Sequence, residues 1–168
     1  MSGEERSKQE VIVSRQIISV PQRFATGPVM GYFLQELRDN RRIMANRCPQ
    51  CGRHQVPPRE VCALCRVEAD QWDEVGPEGV IRHYDIVYYA SPDPLTGETR
   101  EVPYVVCWIE LDGTQGDAYF WHLLKESDPA KVRKGLRVRA VFNEERVGTP
   151  ADIKYFEIIE GQDWGGEK

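Results

Sequence analysis

The sequence predicts a mostly β protein with one N-terminal helix, and three observations support this fold class. Four of the five cysteines form two Cys-x-x-Cys pairs within residues 48–65. An apolar stripe with helical spacing precedes these pairs, and five short segments rich in β-branched and aromatic residues follow them. Together the observations predict a rubredoxin-like zinc ribbon followed by a five-stranded OB-fold barrel.

Length and composition set the frame for these elements. The chain has 168 residues, of which 40% are hydrophobic and 29% are charged, so it can bury a core as one medium domain or two small modules. The elements divide it into an N-terminal arm (1–27), a helix with a ribbon (28–70), a barrel (71–160) and a solvated tail (161–168). No apolar run approaches the roughly 20 residues that cross a bilayer, and the charged N-terminus does not resemble a signal peptide. We therefore expect a cytoplasmic protein without a membrane partner.

The helix is predicted from apolar residues at i, i+3, i+4, i+7 and i+14, which are Met30, Phe33, Leu34, Leu37 and Met44. Gly27 and Pro28 mark its start, and it leads into the first cysteine pair. Its stripe is either covered by the chain's own core or presented to a partner, in which case Met30, Phe33, Leu34 and Leu37 form the interface. The preceding segment, 11–20, is either an edge strand or an arm that becomes ordered on a partner.

The ribbon is predicted from Cys48-Pro-Gln-Cys51 and Cys62-Ala-Leu-Cys65, which ten residues separate. A two-residue gap lets both thiolates of a pair bind one ion, and two pairs complete a tetrahedral sulfur site. Zinc is favoured over a rubredoxin-like iron, and disulfides are disfavoured in a reducing compartment. Because protein fills all four positions, the zinc is structural. His54 could ligate in principle, but four cysteines leave it as a polar loop residue.

The barrel is predicted from five segments: 80–90, 103–111, 118–124, 136–142 and 155–159. Gly-Pro and Asp-Gly turns separate them, with one long loop at 91–100 and a short helical stretch near 127–132. Uneven connections between five short strands are typical of an OB-fold.

Charge is distributed unevenly along the chain. Residues 1–47 carry 8 Lys/Arg and 5 Asp/Glu, residues 48–70 carry 3 and 3, and residues 71–168 carry 11 and 19. An acidic barrel repels a phosphate backbone, so nucleic acid is a disfavoured partner. A local phosphate site remains available in five cations, Lys131, Arg133, Lys134, Arg137 and Arg139, although these residues could instead form a solvated strand and turn surface. Arg137 and Arg139 share one strand face and could converge on one anion.

The sequence assigns no catalytic residue. Cys107 lies in an apolar strand, where a thiol is an inert small hydrophobe. No spacing forces contact among His83, Asp85 and His122. Most of the barrel aromatics (Tyr84, Tyr88, Tyr89, Trp108, Tyr119, Trp121) are expected in the core, although exposed ones could stack bases.

Several motifs occur in a specific order across residues 28–159. After the first cysteine pair come Val56-Pro57-Pro58-Arg59, the second pair, Trp72, Gly76-x-x-Gly79, Pro103-Tyr-Val-Val106, Leu111-Asp-Gly113 and Lys134-Gly-x-x-Val138. This order resembles the zinc-ribbon/OB-fold family long described as a domain of unknown function and now associated with acyl-CoA metabolism. His83, the 91–100 loop and the first 27 residues depart from the family pattern.

The resemblance implies a small, usually non-catalytic subunit that pairs with a thiolase-like protein and helps to accommodate acyl-CoA or CoA. An aromatic acyl-CoA lies within the family's range, and the five cations above are the candidate CoA phosphate contacts. Two alternatives stay open: a single-stranded nucleic-acid-binding module, and a scaffold that stabilises a partner without touching CoA.

Overall fold

The computed structural model describes residues 12–13, 23–90, 92 and 97–163 and confirms the predicted fold class. The helix α1 spans Gly27–Asn40. The strands are β1 (Ile43–Arg47), β2 (His54–Gln55), β3 (Gln71–Val75), β4 (Glu78–Val87), β5 (Tyr104–Leu111), β6 (Phe120–Leu124), β7 (Leu136–Phe142) and β8 (Ile153–Asp163). Short 3-10 turns lie at Pro129–Lys131 and Pro150–Asp152. Most of the predicted arm, the tip of the 91–100 loop and residues 164–168 lie outside the described residues.

The helix ends earlier than the apolar spacing predicts. Arg41 adopts a left-handed conformation with φ of 55°, and its N–H donates to the Glu36 carbonyl, which ends α1 at Asn40. Met44, predicted as part of the helical stripe, instead lies in β1 opposite Glu74 of β3. The prediction was wrong because the left-handed residue redirects the chain, while Met44 remains buried from its strand position.

The ribbon is a three-stranded antiparallel sheet with β1 in the centre. β1 pairs with β2 on one edge and with β3 on the other, from Ile43 opposite Val75 to Arg47 opposite Gln71. The amide of Asn46 is fully buried and donates to the Arg59 carbonyl at 2.6 Å and the Ala69 carbonyl at 2.8 Å. These two bonds tie both ends of the segment that carries the second cysteine pair to β1.

The second sheet closes into a barrel in the order β4-β5-β6-β8-β7. β6 and β8 close it through a parallel contact between Leu124 and Phe156, and the remaining pairs are antiparallel. β8 continues to Asp163, which pairs with Leu136, so residues 161–163 of the predicted tail belong to the last strand.

One core joins helix, ribbon and barrel. Phe33 and Leu37 of α1 are fully buried in the same cluster as Val75 of the ribbon and Phe156 of the barrel. Burial of each such side chain stabilises the fold by about 1.5–3 kcal/mol. The predicted interface stripe is corrected accordingly, since Phe33 and Leu37 cover the chain's own core. Met30 and Leu34 are half-buried against that core.

Candidate metal centre and binding surfaces

The two cysteine pairs form knuckles with the same backbone geometry. In the first, the Cys48 N–H donates to the Arg53 carbonyl at 3.0 Å and the Gly52 N–H donates to the Cys48 carbonyl at 2.9 Å. In the second, the Cys62 N–H donates to the Val67 carbonyl at 2.9 Å and the Arg66 N–H donates to the Cys62 carbonyl at 3.0 Å. Each turn needs a left-handed residue at the same place, and Gly52 (φ 73°) and Arg66 (φ 59°) provide it.

These turns bring the four sulfur atoms of Cys48, Cys51, Cys62 and Cys65 within 4.8 Å of one another. The Cys51 and Cys62 Sγ atoms are 3.8 Å apart, which fits one edge of a tetrahedron with metal–sulfur bonds of about 2.3 Å. Cys48 and Cys62 are buried, whereas Cys51 is exposed and Cys65 is half-buried.

The acid–base chemistry of the thiols also fits a cation at the centre. Backbone N–H groups of Cys65 and Leu64 stabilise the Cys62 thiolate and lower its pKa to about 7. The neighbouring Cys51 sulfur raises the pKa of Cys65 to about 12. The neighbouring sulfur therefore opposes ionisation of Cys65, and a divalent ion bound by the thiolates would remove that opposition.

His54 is not a polar loop residue, as the sequence suggested, but a buried bridge between the ribbon and the barrel. Its side chain is 4% exposed and lies in β2. Nε2 lies 3.2 Å from the Asp73 carboxylate of β3, and Nδ1 lies 3.3 Å from the Asp117 carboxylate in the β5–β6 connection. The Asp117 carboxylate also accepts the His54 backbone N–H at 2.9 Å. Both ring nitrogens are therefore directed at carboxylates.

Asp73 holds a second cation beside this bridge. The Arg47 guanidinium donates to its carboxylate at 2.8 Å, and this bond is the main reason that the pKa of Asp73 lies below its usual range. Sequence reasoning missed the arrangement because Asp117 is 63 residues from His54. His54 lies between the polar residues Arg53 and Gln55, so its local sequence carries no signal of burial.

The predicted phosphate cluster is largely occupied by the chain's own carboxylates. Arg137 donates twice to Asp112 at 2.7 Å and once to Glu78 at 3.0 Å. Arg139 donates to Glu78 at 2.7 and 3.0 Å. The two arginines do converge on one anion, but that anion is Glu78, and their hydrogen bonds lower its pKa.

The other members of the cluster are also unsuited to a shared phosphate. Lys131 lies 3.5 Å from Glu126 and 4.0 Å from Asp128, Arg133 is likewise engaged within the chain, and Lys134 is exposed in the turn before β7. The structure therefore does not gather these five cations around an open anion site.

The aromatic set is more exposed than predicted. Tyr88, Tyr89, Tyr119 and Trp121 are 44–75% exposed, whereas Tyr84 is packed against the core. Trp121 follows the inward-facing Phe120 in β6 and Tyr119 immediately precedes it, and both side chains are exposed on the outside.

The candidate acid–base residues are divided between the two faces of the barrel wall. His122 packs against the rings of Phe120 and Phe156, and burial lowers its pKa. His83 contacts Tyr119 on the outside, and Asp85 is exposed there. Cys107 is fully buried inside the barrel, and burial raises its pKa to about 12, as is typical of a thiol that packs as a small hydrophobe.

Comparisons with known proteins agree with this architecture. The profile of the ChsH2 rubredoxin-like zinc ribbon domain matches residues 36–71, and that of the ChsH2 C-terminal OB-fold domain matches residues 72–143. A DUF35 domain-containing scaffold protein of Methanocaldococcus jannaschii is 30% identical over 102 residues, covering 60% of this chain and 67% of that protein.

Two solved structures share the fold. One is titled Ltp2-ChsH2(DUF35) aldolase, with a TM-score of 0.53 and 24% identity, over 81% of this chain and 98% of the matched chain. The other is a protein of unknown function from the DUF35 family of Sulfolobus solfataricus, with a TM-score of 0.54 and 20% identity, over 79% and 85%. Within the described residues, no helix is both long and apolar enough to cross a membrane.

The sulfur geometry and the zinc-ribbon match together identify Cys48, Cys51, Cys62 and Cys65 as a structural zinc site. This chain belongs to the DUF35 family and has the ChsH2-type zinc ribbon and OB-fold.

Proposed function

We propose that this chain is a zinc-containing accessory subunit that pairs with a thiolase-like enzyme and helps it to hold an acyl-CoA. Membership of a family with a scaffold protein supports the pairing, as does the fold shared with the DUF35 chain of an Ltp2-ChsH2 aldolase. The observation that carries the proposal is an aromatic surface on the outside of the barrel.

This surface, called here the outer aromatic face, consists of His83, Trp108, Tyr119 and Trp121. His83 of β4 pairs with Trp108 of β5, which pairs with Trp121 of β6, so the three side chains lie side by side across three strands. Tyr119 packs edge-on against His83, with ring centroids 6.2 Å apart. Trp121 is 56% exposed and Tyr119 is 44% exposed. Clustered surface Trp and Tyr are typical of protein–protein interfaces, and this face replaces the buried helix stripe as the proposed docking site.

The chemistry of the chain supports an accessory role. A zinc ion held by four cysteines has no position left for a substrate. Cys107 remains a thiol at neutral pH because its pKa is about 12, so it is a poor nucleophile. Carbon–carbon bond chemistry beside a thioester needs an activated nucleophile, and we assign that group to the partner enzyme.

The outer aromatic face also supports a second candidate function. OB-folds bind single-stranded nucleic acid by stacking bases on exposed aromatic residues. The charge of residues 71–168, with 11 Lys/Arg and 19 Asp/Glu, opposes that function because most of the affinity for a polyanion is electrostatic. The accessory-subunit function is therefore favoured over nucleic-acid binding.

Affinity capture of the tagged chain from nuclease-treated native extract tests the proposal, with mass spectrometry as the readout. The wild-type chain should retain a stoichiometric thiolase-like protein, and the Tyr119→Ala/Trp121→Ala variant should retain at least about tenfold less, because hot-spot aromatic residues dominate interface energies. Tyr89→Ala, 75% exposed on the loop after β4, is the matched control and should retain the partner. Equal retention by the face variant, or recovery of nucleic-acid-binding proteins instead, would contradict the proposal.

A further inference from the structure

A surface cavity of about 300 Å³ lies where β5 begins, β6 ends and β8 begins. Tyr104 and Tyr155 contribute rings to its lining, and Leu123 and Leu124 contribute an apolar wall. The lining also contains three cations, Arg100, Lys125 and Lys154. We call this site the tyrosine cavity; it shares no residue with the predicted phosphate cluster.

The rings hold the cations in place. The Arg100 guanidinium carbon lies 5.4 Å from the centroid of the Tyr104 ring. The ammonium groups of Lys125 and Lys154 each lie 5.6 Å from the centroid of the Tyr155 ring. Cation–π contacts of this length restrict long side chains without neutralising their charge.

Carboxylates neutralise the cations of the tyrosine cavity less than they neutralise the cations of the predicted phosphate cluster. Among the described residues, no carboxylate lies within 4.0 Å of Arg100 or Lys154, and Lys125 has one exposed partner, Glu157, at 3.6 Å. Glu101 is the single acidic residue in the lining. Arg137, by contrast, pairs with Glu78 and Asp112, and Arg139 also pairs with Glu78, all at 2.7–3.0 Å.

We propose that the tyrosine cavity binds the phosphate groups of an organic phosphate that also has an apolar arm. Three cations from three different chain segments converge on one concave site, which is the arrangement that a phosphate ester requires. The leucine wall beside them accommodates the apolar part. The identity of the ligand, a CoA thioester, rests on the proposed function. The proposed phosphate contacts are then the cations of the tyrosine cavity and not Arg137 and Arg139, as the sequence suggested.

Isothermal titration of the isolated full-length chain tests the assignment, with CoA, inorganic pyrophosphate and pantetheine as probes. CoA and pyrophosphate should bind, whereas pantetheine, which has no phosphate, should bind at least about tenfold more weakly than CoA. The Arg100→Gln/Lys154→Gln variant should lose about tenfold or more in affinity for both phosphate probes, since each bond to a charged group contributes more than a neutral one.

Arg139→Gln is the control for the loss of an exposed positive charge, because Arg139 lies outside the cavity. It should change the affinity for CoA less than threefold. Equal losses in the control and the cavity variant, an unchanged affinity in the cavity variant, or pantetheine binding as tightly as CoA would each overturn the assignment. Wild-type protein that binds neither CoA nor pyrophosphate would overturn it as well.

The outcome is separable from that of the capture experiment. A chain that retains its thiolase-like partner but binds no phosphate probe would contradict the cavity assignment alone. A chain that binds CoA through the cavity but retains no partner would contradict the accessory-subunit proposal alone.

Discussion

Gly79 is a position where the structure leaves no room for a side chain. It lies in β4 opposite Leu111 of β5, immediately after the ribbon. A Cβ atom built on Gly79 would lie 2.5 Å from the Glu110 carbonyl oxygen and 2.8 Å from Cγ2 of Ile109. The φ of Gly79 is not in the left-handed region, so the demand is for space alone.

The expected cost of Gly79→Ala follows from these contacts. The carbonyl belongs to the backbone of β5 and cannot move unless the strand moves, and Ile109 is fully buried. Overpacking of a core typically costs about 1–3 kcal/mol, and a backbone contact places this substitution at about 3 kcal/mol. In a domain of this length, each kcal/mol lowers the melting temperature by about 2–4 °C, so a loss of about 3 kcal/mol should lower it by about 6–12 °C.

Two other glycines provide matched controls for the same chemical change. Gly31 lies inside α1, where a Cβ would lie at an ordinary 3.5 Å from Thr26, so Gly31→Ala should stabilise the fold by about 0.5–1 kcal/mol. Gly135 has φ of +86° with nothing within 4 Å, so Gly135→Ala should cost about 1–2 kcal/mol through backbone strain.

Thermal and urea unfolding of the three variants provide the assay. We expect the free energy of unfolding to decrease in the order Gly31→Ala, wild type, Gly135→Ala, Gly79→Ala. The reasoning is refuted if Gly79→Ala melts within 2–3 °C of wild type, or above Gly135→Ala, because the strand would then have absorbed a contact that the geometry forbids.

Two further predictions concern the metal and the acid response. Purified protein should contain one zinc per chain by elemental analysis. The Cys48→Ala variant should contain no zinc and should lose the NMR signals of the ribbon, because structural zinc contributes about 10–16 kcal/mol in small zinc modules. Iron in the wild type, or unchanged ribbon signals in the variant, would contradict the assignment. The second prediction follows from Glu78, whose pKa in the folded chain is lowered from its ordinary 4.5, chiefly by Arg139 and also by Arg137. The stabilisation is present above pH 4.5 and is lost as pH falls through the folded pKa, so urea midpoints should decrease below about pH 4.5, and less steeply in Glu78→Gln. Identical slopes for both proteins would remove Glu78 from the explanation.

The features predicted correctly from the sequence are those that neighbouring residues determine. A Cys-x-x-Cys pair places its own sulfur atoms, and the segments between Gly and Pro turns formed the expected strands. The helix end was misplaced because the left-handed conformation of Arg41 has no Gly or Asn to signal it. Met44 matched the helical period by coincidence, since a buried strand residue can satisfy the same spacing.

The errors at the binding surfaces arise from contacts between distant residues. Strand alternation correctly put Arg137 and Arg139 on one face, but Glu78 and Asp112 are 59 and 25 residues from Arg137. Local charge density therefore indicated an open cation cluster where the fold places ion pairs. Conversely, Arg100, Lys125 and Lys154 are scattered along the sequence and converge only when β5, β6 and β8 close the barrel.

The bridge through His54 has a consequence for exchanging parts between members of this family. The family profiles meet between residues 71 and 72, and a chimaera joined there would take Asp73 and Asp117 from one parent and His54 from the other. A recipient lacking either carboxylate would leave an imidazole buried without its partner, at a cost of about 1–3 kcal/mol. Residues 54, 73 and 117 should therefore be transplanted as one unit, whichever side of the junction they occupy.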